Sequence, residues 1–545
     1  MNILGITHPI SWNNAACLLI DGELVSMVEE ERLNRIKHSP RMPAKLAMEY
    51  CLNNSNLSLN DIDYIAIGFD KASNVAFKNL GVDNILSDLN QAANWLIEGK
   101  KYEKILPFEN YPADRVFFIN HHLAHAASSF FVSGFQEANI ISLDGSGGSE
   151  SGILATGKDS QIDILHRFPN KESWGLIYEL ITEKLGFRRH SGEGKVMGLA
   201  PYGKPDPNGL PFVKWDKPIP YIDSKLRKEY MDSLPTRLKN EPLLDFHKNL
   251  AATLQDTLER AAIRMAEYLY SVNASNNLCL AGGSALNCSM NGKLANLPFV
   301  KNIFIQPASH DSGTALGAAL MVYAKKTNKN LNFVMKHAYW GPESNDDQIE
   351  VALEKYSAKL NYYKSQNITL DTAVELSNGK IIGWFQGRSE IGPRALGNRS
   401  ILANPSIASM KDKVNNQVKH REPWRPFAPS ILEEEKGRYF KEQKNSPFMI
   451  LAFDTLPETR DEIIAAVHID GTARPQTVNK LTNPIYWNLI REFQKISGIP
   501  AVLNTSFNVD SQPIVNTPEE AIETFLNCGI EVLSIGNFIA KKLDE

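Results

Sequence analysis

His121 and His125, in the run NHHLAHA (120–126), would share one helix face and could grip a single metal ion. A bare HxxxH pair is equally a polar start to a helix, so the weight falls on what accompanies it. Asp144 ends an apolar run in SLDGSGG (142–148), and Asp311 precedes an apolar helix in PASHDSGTALG (307–317). Two imidazoles and two carboxylates suit a five- or six-coordinate ion with open positions. His8 lies in a polar loop, HPISWNN (8–14), between two apolar runs, and such loops at a sheet end often carry active-site groups.

Two glycine turns add an anion-binding signal. Gly147 and Gly148 close a hairpin, and Gly282 and Gly283 in AGGSALN (281–287) lie between a strand and a helix that opens near Asn287. Main-chain N–H groups in such turns approach a phosphate without a Cβ in the way, and the helix dipole favours the negative charge. Two strand-Gly-Gly turns, each with an aspartate beside it, form the pattern of a duplicated nucleotide-binding fold. Lys195 sits in a third glycine-rich stretch, SGEGKVMGLAPYG (191–203), which reads as a charged loop too apolar to be a solvated face and hence ligand-facing.

The second half is marked by cations. GRSEIGPRALGNRS (387–400) contains Arg388, Arg394 and Arg399 among Ile, Pro and Leu, where guanidinium groups need partners. KHREPWRPFAPS (419–430) adds Lys419 and Arg425, DGTARPQ (470–476) adds Arg474, and LNTSFN (503–508) adds the amide of Asn504 and the hydroxyl of Ser506. Such a set suits a small phosphorylated substrate and a triphosphate.

The elements that must position these groups alternate between strand and helix patterns, which predicts an α/β chain. Strands are expected at 2–7, 14–20, 23–28, 63–69, 115–120, 277–280 and 380–386, and helices at 44–53, 173–185, 243–272 (one or two) and 346–360. Residues 75–108 have helical composition and read as an insertion. At 545 residues the chain exceeds one core, and the Gly-Pro break at 341–342 divides it into expected domains 1–342 and 343–545. A net charge of -4 gives no basic field for nucleic acid, and no apolar run approaches the roughly 20 residues of a membrane span. Five scattered cysteines read as buried free thiols, and together these features predict a cytoplasmic protein.

In their order, these motifs resemble the O-carbamoyltransferases of the nodulation and antibiotic-tailoring type, over nearly the whole chain. The resemblance implies an actin-like duplicated ATPase fold, similar to the threonylcarbamoyl transferase that modifies tRNA, followed by a YrdC-like α/β domain. It implies that His121, His125, Asp144 and Asp311 hold an iron-like divalent metal and that the glycine loops, with Lys195 and Asn287, hold an adenylate. It also implies that the second domain joins carbamoyl phosphate to ATP, with Mg2+, as carbamoyl adenylate. Arg394, Lys419, Arg474 and Ser506 fall on that family's functional positions, with Arg399, Arg425 and Asn504 beside them. His8 is the candidate general base for an acceptor alcohol. The acceptor is expected to be a small-molecule alcohol, with no nucleic-acid or membrane partner, and the same kinship allows a homodimer. Three other readings stay open: an actin-fold sugar kinase, which leaves the arginines and the HxxxH idle; a tRNA threonylcarbamoyl transferase, for which no basic stripe is visible; and a non-catalytic nucleotide-binding regulator.

Overall fold

A computed structural model describes residues 1–69, 111–329, 331 and 333–543. The 75–108 insertion lies outside the described residues. The opening meander forms as β1 (Asn2–Ile6), β2 (Ala15–Ile20) and β3 (Glu23–Glu29), each antiparallel to the next. Asp21 and Gly22, both with φ in the left-handed region, make the tight turn between β2 and β3. After α1 (Lys45–Asn53), β4 (Tyr64–Ile67) and β5 (Val116–Phe118) add to β1 in parallel, giving the order β3-β2-β1-β4-β5. The chain then enters α2 (His121–Phe130).

The same plan follows a second time. The strands β6 (Glu137–Gly147), β7 (Glu150–Lys158) and β8 (Gln161–Pro169) form an antiparallel meander. The helices α3 (Trp174–Lys184), α4 (Glu193–Leu199) and α5 (Asp245–Val272) come next. Then β9 (Asn277–Ala281), α6 (Cys288–Ala295) and β10 (Asn302–Ile305) complete the order β10-β9-β6-β7-β8, with β9 parallel to both β6 and β10. The helix α7 (Ser312–Thr327) closes this half as α2 closes the first. Strand for strand, order and direction repeat, so the duplication is visible in the topology itself.

Small residues bring α2 and α7 together. A Cβ on Gly317 of α7 would lie 1.7 Å from the Ala124 carbonyl oxygen of α2, and one on Gly5 of β1 would lie 2.2 Å from the Ala315 carbonyl oxygen. A side chain at Gly317 would push apart the helices that carry the histidines and follow Asp311, and one at Gly5 would push α7 off β1.

The second half is built on one mixed sheet. Its elements are α8 (Asp346–Lys355), β11 (Leu360–Lys364), α9 (Ile368–Ser377), β12 (Ile382–Phe385), β13 (Arg399–Ala403) and β14 (Ala428–Leu432). They continue with β15 (Gln476–Val478), α10 (Pro484–Ser497), β16 (Ala501–Ser506), α11 (Pro518–Leu526), β17 (Val532–Ile535) and β18 (Phe538–Lys542). The strand order is β11-β18-β17-β12-β13-β16-β14-β15. Alternate residues of these strands face opposite ways. Ile401, Leu503 and Leu533 pack with Leu353 of α8 and Phe525 of α11, while Leu402, Val502 and Val532 pack with Leu376 of α9 and Phe493 of α10.

The fold is thus α/β throughout, a duplicated domain of two five-stranded sheets followed by a domain built on one eight-stranded mixed sheet. The residues gather into two compact units, Met1–Asn34 with His38–Met335, and Arg35–Lys37 with Lys336–Glu545. Two local expectations fail. The glycine-rich stretch 191–203 is not a loop: α4 and a 3-10 turn, Ala200–Tyr202, form there because Val196, Gly198, Leu199 and Ala200 are buried. The helix expected to reach residue 360 stops at Lys355, and Leu360 already begins an edge strand. No helix among the described residues is long and apolar enough to cross a membrane.

Candidate active site

Asn120 caps α2, its side-chain oxygen accepting the Leu123 N–H at 3.1 Å, and so fixes the start of the helix one residue before His121. Both histidines are buried, with Nε2 atoms 3.1 Å apart. Nδ1 of His121 meets the Gly68 carbonyl oxygen at 3.2 Å. A carbonyl only accepts, so the proton is on Nδ1 and Nε2 keeps its lone pair. Oδ2 of Asp144 is 3.1 Å from His125 Nε2 and 3.5 Å from His121 Nε2, and Oδ1 of Asp311 is 3.7 Å from His121 Nε2. The four ligand atoms lie within 4.8 Å of one another. Two ligands each about 2.1 Å from an ion and at right angles stand about 3.0 Å apart, so this donor set fits a divalent cation. The electrostatics agree. Burial would push the Asp144 carboxyl up, but His121 and His125 outweigh it and hold the group well below its ordinary value. Burial likewise pushes His121 down, and Asp144 and Asp311 more than reverse that.

The carboxylates have second anchors. Oδ1 of Asp144 accepts the Gly145 N–H at 2.7 Å, and Oδ2 of Asp311 accepts the Trp12 N–H at 2.8 Å. Trp12 belongs to the His8 loop, and its ring lies 4.2 Å from that of His190. His8 is buried, 4.8 Å from Phe69, whose ring is 5.2 Å from that of His121. Burial first, and His121 second, lower the His8 pKa to about 3, so the imidazole is neutral.

The glycine turns act on this centre directly. A Cβ on Gly147 would lie 2.1 Å from Cδ2 of His121, and one on Gly283 would lie 2.9 Å from Oδ1 of Asp144. Gly282 has φ +82° and sits against the Leu143 carbonyl. Gly148, with φ +83°, makes the β6-β7 turn. The Asn287 side chain, expected to face a nucleotide, is engaged inside the protein. It caps α6 by accepting the Met290 N–H and exchanges two hydrogen bonds with Gln255. Lys195 is on α4, its ammonium 5.8 Å from the centre of the Phe187 ring.

In the second unit, a π-helical turn (Asn415–Lys419) ends at Lys419, and His420 follows with φ +46°. Nζ of Lys419 donates to the Ser506 carbonyl (2.6 Å) and hydroxyl (3.3 Å) and to the main-chain and side-chain oxygens of Asn508 (2.8 Å each). None of these is a carboxylate. Burial foremost, then Arg421 and Arg425, hold the Lys419 pKa well below the ordinary lysine value. Burial also lowers Arg421, with Arg425 and Arg474 adding to it. Lys419, Arg421, Arg425 and Arg474 are therefore one group of mutually repelling cations, tempered by Glu422 and Asp510. Such a group is stabilised by a bound polyanion.

Arg399, expected in this set, is completely buried. It donates to the carbonyls of Gln386, Asn398 and Pro342 and stacks over Phe385 at 3.7 Å. Its place is structural, and Arg388 likewise donates to the carbonyls of Gly341 and Trp340. Carbonyl dipoles meet the need that the sequence assigned to anions. Arg394 is half-buried in the loop before β13. Asn504 lies inside the sheet, its amide donating to the Ala395 carbonyl and the Ser430 hydroxyl. Arg421 is one of the cations that KHREPWRPF supplies and Asn508 one of the amides of LNTSFN, and both lie beside Lys419.

The carbamoyltransferase N-terminus family model matches residues 2–320, and the carbamoyltransferase C-terminus model matches residues 373–542. The nodulation protein NolNO of Sinorhizobium fredii is 38% identical over 99% of this chain and 80% of its own length. The 3'-hydroxymethylcephem-O-carbamoyltransferase of Streptomyces clavuligerus is 30% identical over 64% of each chain. Among solved structures, HypF of T. kodakarensis is similar with a TM-score of 0.37, at 14% identity over 60% of this chain and 48% of that one.

Proposed function

Since this chain belongs to the carbamoyltransferase family, we propose that it is an ATP-dependent O-carbamoyltransferase working in two stages. In the first, carbamoyl phosphate loses its phosphate to water, and an oxygen of the resulting carbamate attacks the α-phosphate of ATP. Pyrophosphate leaves and carbamoyl adenylate forms. Lys419, Arg421, Arg425 and Arg474 would neutralise the phosphates as they crowd together, with Ser506 and Asn508 holding the ammonium in place. Fixed charge of this kind is the main tool for phosphoryl and nucleotidyl transfer.

In the second stage an acceptor hydroxyl attacks the carbamoyl carbon and AMP leaves. His121, His125, Asp144 and Asp311 would hold a divalent cation, Fe2+ in our reading, whose chemistry there is to polarise the carbonyl. His8 is our candidate to take the hydroxyl proton, from a loop whose next residues tie back to Asp311. The acceptor is a small-molecule alcohol.

One observation carries the reading: Lys419, Arg421, Arg425 and Arg474 lie close enough to act on one another electrostatically, with Glu422 and Asp510 opposing them, in a chain that also builds a two-histidine, two-aspartate cluster. The test is product analysis. Purified enzyme should release pyrophosphate and AMP from ATP only when carbamoyl phosphate is supplied. Equal ATP turnover with and without carbamoyl phosphate would overturn the proposal, and ADP in place of AMP would mark a kinase.

A further inference from the structure

Asp311 stands at the N-cap of α7, where an aspartate ordinarily accepts an N–H of its own first turn, yet its side chain makes no such bond. One oxygen takes the Trp12 N–H and the other faces the histidines. The capping duty has passed to its neighbour. Nδ1 of His310 accepts the Ser312 N–H at 3.3 Å. With Nδ1 accepting, the proton of the neutral ring is on Nε2, and that atom lies 3.3 Å from Oε1 of Glu29, the last residue of β3. The same oxygen accepts the Ser312 hydroxyl at 3.3 Å. The residues on either side of Asp311 therefore both hang from one carboxylate oxygen. Oε2 of Glu29 is paired with Arg32 at 2.8 Å, and Arg32 also bonds Glu31. Glu29, Arg32 and Ser312 are at most 4% exposed and His310 is 9% exposed.

We propose that Glu29 is a positioning residue for the transfer centre. It fixes the His310 tautomer and holds the first turn of α7, so that the Asp311 carboxylate is released from capping and turned toward His121 and His125. Arg32 supplies the counter-charge that makes a buried carboxylate tolerable at that point. The inference rests on the metal reading above, because a carboxylate freed from its helix has use only if something is there to bind it. Partners of this outer kind typically change metal affinity by about 10–100-fold when removed.

The experiment uses metal-free full-length enzyme titrated with Co2+, which reports affinity by equilibrium dialysis and ligand geometry by its visible absorption. Glu29→Ala is expected to bind Co2+ about 10–100-fold more weakly than wild type, with a shifted absorption band. Ser312→Ala, which removes one strut and leaves the Glu29–Arg32 pair intact, should show a smaller change in the same direction. It carries the test if Glu29→Ala does not fold. Glu30→Gln is the control for general destabilisation, since Glu30 is buried beside Glu29 on the chain but accepts the N–H groups of Leu46 and Ala47 instead. It should melt lower while keeping wild-type affinity and band.

Wild-type affinity and band in folded Glu29→Ala, or in folded Ser312→Ala where only that variant folds, would overturn the positioning role and leave the metal reading standing. Equal losses in Glu29→Ala and Glu30→Gln would overturn it too, assigning the effect to stability. A wild-type protein that takes up no Co2+ would sink the metal reading and this inference together.

Discussion

Gly147 shows how little room the two-histidine, two-aspartate cluster leaves, since any Cβ there would press on the His121 ring at 2.1 Å. Gly147→Ala should destabilise the protein by about 1–3 kcal/mol, the usual range for overpacking, and weaken divalent-metal uptake by tilting the imidazole. Gly194, in α4 with nothing within 4 Å of where a methyl would stand, is the contrast. Gly194→Ala should leave metal uptake alone and raise stability by up to about 1 kcal/mol. Thermal unfolding and Co2+ titration of the two variants separate these outcomes. The paired histidines could be read from the sequence because a spacing of four already places two side chains on one helix face. Arg399 could not be placed in the same way. Whether a guanidinium meets a phosphate or three carbonyls depends on the fold bringing Pro342, 57 residues away in the chain, against Arg399.

The strands and helices were largely legible, and the failures have causes. Four glycines in 191–203 argue for a loop, but burial of Val196 and Leu199 outweighs their low helix propensity. The loop that presents Arg474 illustrates how an element can be held by one side chain. Asp470 accepts the N–H and hydroxyl of Thr472 and lies 3.5 Å from His468. Burial would raise its pKa, but the bonds from His468 and Thr472 hold it at about 2. A carboxyl lowered in the folded state adds stability that is fully present above its ordinary value of 3.8 and is lost as the pH falls toward about 2. Asp470→Asn should therefore melt below wild type at neutral pH, and the gap should close as the pH falls from 3.8 toward about 2. A gap that stays constant through that window would mean the carboxylate charge is not what holds the loop.

The proposed two-stage reaction, with one stage assigned to each unit, calls for half-reactions that can be broken separately. His125→Ala and His8→Asn should keep carbamoyl-phosphate-dependent pyrophosphate release and lose most carbamoylated product, whereas Lys419→Met should lose both by at least about 100-fold. Pyrophosphate assays beside product mass spectrometry give the comparison, and loss of pyrophosphate release in His125→Ala would contradict the division. The sequence alone determined which chemical groups exist and which local elements carry them, because helix faces, glycine turns and strand patterns are short-range consequences of residue type. It also carried the resemblance that pointed to carbamoyl transfer. Tertiary structure decided which groups meet: His125 and Asp144 are 19 residues apart, Trp12 and Asp311 299 apart, and Glu29 and Ser312 283 apart. Those meetings follow from the pairing of β1, β2 and β3 and the close packing of α2 on α7, which are set by long-range burial and by the small residues that permit it.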